Sequence, residues 1–386
     1  MPRPSRACKD PDGYKPKELY PLKQRQKLES SRAKNPTYLF RASSSISGSG
    51  IEVTEGDGVS MVPRAFLNAK KGHKTIYEIP DLVNMVTGHL RGSKDIASEF
   101  SSWAASFSVA MAFLQRHLSQ PDSRISVIDT RRFPDTAIYH VNEFKNAGFE
   151  VDSFAHEYLL HGVVEGSPGS GYSSVLWSGL RRLGIYKVMP RRPGGLCPLP
   201  EPLPTNTIMP PLEIADIQTA KRIAMAYGPL FAVPVIAALL SHTHRSWQRP
   251  ESELAEKEVE AIARVMREGD VALVEDYSRV TAVMEDIVFT SRFEDVKQQI
   301  TLLRLLSEYI HGKNAEIQGQ TAMQEVDQTM RLVGKTGMEK KKSAATKKGK
   351  WWIQASGTIK SLISPDAFRA LSLLHSRRKT VSRTIG

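Results

Sequence analysis

The chain has 386 residues, of which 40% are hydrophobic and 24% charged, ordinary globular usage that excludes collagen-like, mucin-like and wholly disordered chains. Two cysteines, Cys8 and Cys197, exclude a disulfide scaffold and a thiolate zinc site, and they read as free thiols in a reducing compartment. The net charge of +12 is uneven. Met1–Pro36 holds ten Lys/Arg against four Asp/Glu (+6) and Arg331–Gly386 fourteen against two (+12), which leaves −6 for the middle. Basic ends suit an anionic partner, such as nucleic acid or an import receptor, and they suit a solubilising tail equally.

Residues 1–36, rich in Lys, Arg, Ser and Pro with little apolar periodicity, read as a basic disordered segment. No apolar stretch precedes Tyr38, so no secretory signal is expected, and the location reads as intracellular. Thr37–Ala42 reads as a strand followed by a Ser/Gly turn cluster over Ser43–Gly50. Ile76–Arg91 reads as a helix with Asp81 as N-cap, and Phe100–Ala105 as a short strand running into a helix capped by Ser106. Ile125–Asp129, Thr136–Val141, Glu157–Val164 and Leu183–Met189 are further strand candidates. This mixture fits α+β better than alternating βαβ units.

Seven prolines in Arg191–Pro211 mark a stiff linker. Beyond it, the pattern from Asp216 to about Gly312 is helical, with inward stripes at Leu254, Val259, Ile262, Ala263 and Met266 and at Phe293, Val296, Ile300, Leu303, Leu306 and Ile310. Ala224–Leu240 carries no charge over 17 residues. Gly228, Pro229 and Pro234 break it, so it reads as a buried, kinked hairpin rather than a membrane span. The expected organisation is a basic segment 1–36, an α+β domain 37–190, a linker 191–212, a helical domain 213–315 and a basic tail 316–386. That tail carries Lys340–Lys342, Lys347, Lys348 and Lys350, followed by Trp351-Trp352.

The signatures for dinucleotide-fold, P-loop, zinc-protease and nucleophile-elbow chemistry are absent, and no histidine pair has metal-ligand spacing. Three features remain. Arg41 sits between apolar residues in Leu39-Phe40-Arg41-Ala42, where it must meet an anion or a carboxylate or lie exposed. A hydroxyl-rich turn, Ser98-Glu99-Phe100-Ser101-Ser102-Trp103-Ala104-Ala105-Ser106, leads from strand to helix. Glu157 opens the apolar run Tyr158–Val164.

The order of Arg, then Ser before a helix, then Glu at a strand start resembles the ADP-ribosyltransferase fold, in its Arg–Ser–Glu branch typified by cholera and heat-labile enterotoxins. More specifically, the chain is similar to an uncharacterised fungal family with such a domain. The similarity rests on Tyr38-Leu39-Phe40-Arg41, His89-Leu90, Ser98–Ser106 and Glu157–Val164, with separations of 61 residues from Arg41 to Ser102 and 55 from Ser102 to Glu157. It covers about Pro36–Pro190. It implies a split β-sandwich followed by the helical domain, and NAD as cofactor. Arg41 would anchor the NAD phosphates or ribose, with Phe40, Ser102, Trp103 and His89 around it. Glu157 would stabilise the oxocarbenium-like transition state as the nicotinamide–ribose bond breaks.

The pattern departs from the family in three places. Ala104 and Ala105 stand where the family has hydroxyls, and Ala155 stands where arginine-modifying enzymes carry an acid. Two readings follow: an NAD-cleaving transferase or glycohydrolase, and a catalytically dead module of the same fold that binds a nucleotide, nucleic acid or protein. A membrane-associated protein ranks last.

Overall fold

The computed structural model describes residues 19–47, 50–55, 58–69, 72–152, 156–167, 169–189, 211–243, 245–248, 252–267, 293–312 and 324. Met1–Leu306 makes one compact unit and Ser307–Gly386 a second. The first mixes helices with small antiparallel sheets, an α+β arrangement.

In chain order it opens with α1 (Leu22–Ser31), inside the segment expected to be disordered. The helix is polar and gains little from its own sequence. What orders it is tertiary contact: Leu28 is fully buried among Ile76, Phe144 and Leu159, and Glu29 accepts hydrogen bonds from the Tyr77 and Tyr139 hydroxyls at 2.7 and 2.5 Å. Docking, rather than propensity, stabilises most short helices.

Then follow β1 (Tyr38–Ser43), the hairpin strands β2 (Ile51–Glu55) and β3 (Gly58–Val62), α2 (Leu82–Leu90), β4 (Phe100–Trp103) and α3 (Phe107–Leu114). Both expected caps are made. The Asp81 carboxylate accepts from the Asn84 N–H and the Ser106 hydroxyl from the Val109 N–H, which satisfies donors that the first helical turn leaves open. β5 (Arg124–Asp129), β6 (Ile138–His140), α4 (Val141–Asn146), β7 (Tyr158–His161) and β8 (Tyr172–Leu176) complete the strands. β7 is shorter than the expected 157–164 and stops at Gly162, whose φ of +93° bends the chain out of extended geometry. The expected strand at Leu183–Met189 is helical: α5 (Trp177–Leu183) and α6 (Ile185–Val188) join at Gly184, φ +91°, the left-handed cap of α5.

Two three-stranded antiparallel sheets result, ordered β1-β5-β8 and β4-β7-β6. Among the described residues a single antiparallel backbone bridge joins them. Phe40 N–H donates to the Ala104 carbonyl at 2.7 Å, and Ala104 N–H donates back at 2.8 Å. Beyond this rung β1 and β4 share no further ladder. The β2–β3 hairpin docks by a second bridge, Met61 to Val164, with both bonds at 2.9 Å.

The helical part contains α7 (Ile214–Met225), α8 (Pro229–Leu240), α9 (Glu253–Arg267) and α10 (294–312). α7 and α8 form the hairpin expected over Ala224–Leu240. Gly228 (φ +88°) makes the turn and Pro229 starts the second helix. α8 is buried from Phe231 to Leu240, which explains why its sequence is apolar all round. No helix among the described residues is long and apolar enough to cross a membrane. The stripe of α9 faces inward except at Leu254, the second residue of the helix, which is 46% exposed. That of α10 is buried from Phe293 to Leu306. The Pro-rich segment over 190–210, the lysines Lys340–Lys350 and Trp351-Trp352 lie outside the described residues.

Candidate functional site

The site lies where the two sheets part. Ala104 turns its backbone groups toward β1. By the alternation of an antiparallel strand, Ser102 turns its own the same way. No rung of β1 meets the Ser102 carbonyl. The Arg41 side chain does: Nη1 donates to Ser102 O at 3.0 Å, and Nη2 donates to Gly50 O at 3.0 Å. Arg41 is 3% exposed. Gly50 fits because its φ is +112° and a Cβ there would meet Val62 O at 2.8 Å. The arginine in an apolar strand therefore closes the ladder gap with its guanidinium.

His89, near the end of α2, is 8% exposed. Its Nδ1 lies 2.7 Å from Ser98 Oγ and its Nε2 2.8 Å from Ser102 Oγ. Burial and the nearby Arg41 charge push its pKa down to about 3, so the ring is neutral. Glu157, just before β7, lies near the Ser102 side chain, which favours its ionised form. Burial pushes its carboxyl up to about 7, against the opposing pull of Ser102 and of Arg41. Arg41, His89, Ser102 and Glu157 thus come together around one serine, the cation on its carbonyl and the imidazole and the acid on the side of its hydroxyl. Ser102 is the least buried of the four.

Phe40 and Trp103, expected beside the cofactor, are placed elsewhere. Side chains alternate along a strand, so each turns away from its neighbour in the site. Phe40 is fully buried and meets Phe107 edge-on at 5.3 Å. Trp103 packs on Tyr172 at 6.3 Å and donates its Nε1–H to Ser101 Oγ at 2.8 Å. Both lie in the buried core. Ala104 and Ala105 are buried at the seam, and Ala155 lies outside the described residues.

A second constellation was not visible in the sequence. The Glu99 carboxylate, next to Ser98, takes the His73 ring Nδ1 at 2.6 Å, the His73 N–H at 3.0 Å and His161 Nε2 at 2.9 Å. Burial alone would raise its pKa, but the combined hydrogen bonds from His161 and His73 outweigh it and hold the carboxyl below its usual value. His73 and His161 line a cavity of about 430 Å³ with Phe66, Tyr77 and Tyr139. The Phe100 ring stands edge-on to both networks, 6.1 Å from His89 and 5.6 Å from His161. The only sequence signal was an acid inside a hydroxyl-rich strand start, since His73 lies 26 residues from its partner. Among the described residues no group of His, Cys, Asp and Glu is arranged to hold a metal ion.

No curated protein and no solved structure matches the chain. A domain of unknown function, DUF7587, covers residues 34–165, and within that stretch lie all four residues that converge at the seam, Arg41, His89, Ser102 and Glu157.

Proposed function

We propose that the α+β part of this chain is an ADP-ribosyltransferase-like domain that binds NAD and cleaves its nicotinamide–ribose bond, passing ADP-ribose to an acceptor or to water. The observation that carries the reading is the convergence of Arg41 of β1, Ser102 of β4 and Glu157 just before β7, 61 and 55 residues apart, at the parting of two sheets. Cleaving the bond builds positive charge on the ribose, and a fixed carboxylate in a low-dielectric setting stabilises that charge. Glu157 is such a carboxylate when ionised, and the Ser102 hydroxyl fixes its orientation. Arg41 contributes a fixed positive charge at the seam, on the side where an anionic pyrophosphate gains most. Both Nη groups already hold backbone carbonyls, so its part is to build the site as well as to attract the phosphates. With Ala155 in place of an acid, an acceptor other than arginine fits better.

The test is release of nicotinamide from NAD by the purified chain, beside Glu157→Gln. The variant is nearly isosteric and removes only the charge, so turnover should vanish while the fold persists. Wild-type turnover should rise with pH through about 7, as Glu157 ionises. The second reading, a dead module of the same fold, is favoured by Ala104 and Ala105 where hydroxyls would stand. Millimolar NAD that binds without turnover selects it, and NAD that does neither removes the NAD reading altogether.

A further inference from the structure

We propose that Ser98 is a positioning residue: it holds His89 as the Nε2–H tautomer and so aims the Ser102 hydroxyl proton at Glu157. The role assigned to Glu157 rests on the NAD reading above, whereas the tautomer does not.

The argument is one of donors and acceptors. A neutral imidazole has one N–H and one lone pair, so of the two serines touching His89 one must donate and the other accept. Ser98 is 2% exposed. Its Oγ already accepts the Phe100 N–H at 3.0 Å, and its own proton needs an acceptor. Among the described residues the acceptor within reach is His89 Nδ1, at 2.7 Å. Ser98 therefore donates to Nδ1, and the ring proton lies on Nε2. That proton goes to Ser102 Oγ at 2.8 Å, so the Ser102 hydroxyl is left free to donate to the Glu157 carboxylate. The opposite polarity would leave the buried Ser98 proton without a partner, a costly arrangement in a protein interior. Ser98 thus acts on Glu157 through two intermediates, from the other end of the α2–β4 junction. The charges that act on this row of groups are Arg41, which also disfavours a protonated His89, and Glu157 itself, with the Glu99 carboxylate next to Ser98 in the chain and held by His73 and His161.

The experiment is two-bond nitrogen–proton correlation spectroscopy on the full chain labelled with ¹⁵N-histidine, without NAD. The His89 signals are identified by their loss in His89→Gln. The expected result is a proton on Nε2 and a bare, hydrogen-bonded Nδ1. In Ser98→Ala the Nδ1 resonance should move toward that of a free ring nitrogen and the tautomers should mix. Ser98→Thr, which keeps the hydroxyl, should restore the wild-type pattern. A wild-type His89 protonated on Nδ1 overturns the proposal without need of any variant, as does a Ser98→Ala spectrum unchanged at His89. Where NAD is turned over, Ser98→Ala should lower kcat about tenfold with KM held, and an unchanged kcat overturns the positioning role. The Nε2–H tautomer in a chain that does not cleave NAD leaves this inference standing and removes the function it was to serve.

Discussion

His89 and Glu157 pull the pH dependence of stability in opposite directions. Burial lowers the His89 pKa from 6.5 to about 3, so the unfolded chain binds the proton more readily, and this residue makes stability rise with pH between those values. Glu157 is raised from 4.5 to about 7. Here the native state binds the extra proton, so stability falls as pH rises from about 4.5 to 7 and is flat above. The two slopes cancel over roughly pH 4.5–6.5. Glu157→Gln should expose the His89 slope, with urea midpoints rising over that window. His89→Gln should expose the falling one, worth at most about 3 kcal/mol across its span. A Glu157→Gln profile parallel to wild type would show that the carboxyl titrates normally. Arg41→Lys is a second residue-scale case. A single ammonium cannot serve Ser102 O and Gly50 O in the fork geometry, and a buried carbonyl left bare costs about 1–3 kcal/mol. The variant should lower the melting temperature even without ligand. Arg41 was legible in the sequence because a cation among Leu and Phe demands a partner. That its partners are two backbone carbonyls was not, since nothing in the string of residues says where a ladder stops.

The elements read best where local chemistry alone decides them. Asp81 and Ser106 signal helix starts by a hydroxyl or carboxylate ahead of an apolar run, and both cap as expected. β1, β4, β5 and β6 lie within a residue or two of their expected places, since each combines β-branched or aromatic residues with turn signals. α1 was missed because its stability is borrowed from Tyr77, Tyr139 and the core around Leu28. α6 reads as a strand because Leu183 and Ile185 alternate, whereas Ile185 and Val188, three apart, keep the helical period in too short a piece to decide it. The Ser106 cap has a further partner: its hydroxyl donates at 2.5 Å to Asp295, on α10, a carboxyl that burial pushes up against the hydrogen bonds of Ser106 and Ser108. Ser106→Ala removes both the cap and this bond. A loss of about 2–3 kcal/mol is expected, against about 1 kcal/mol for a solvent-exposed cap, with Ser106→Thr near wild type. Equal losses at Ser106→Ala and Asp81→Ala in urea titrations would show that Asp295 adds nothing.

At the scale of the whole molecule, the sheets are braced internally by full ladders and to each other by one rung, Phe40–Ala104, with the Arg41 bonds beside it. Amide exchange should reflect this: the Phe40 and Ala104 protons should exchange sooner than those of Val127 in the middle strand of its sheet. Equal protection would mean that the two sheets open as one. The sheets meet like the covers of a book whose spine is a single stitch. Bending at a spine needs no page to tear: the ladders within each sheet can stay whole while the one rung between them opens. Ser102 lies just beyond that stitch, so the spacing of the two boards around it is set by one rung and the arginine knotted beside it.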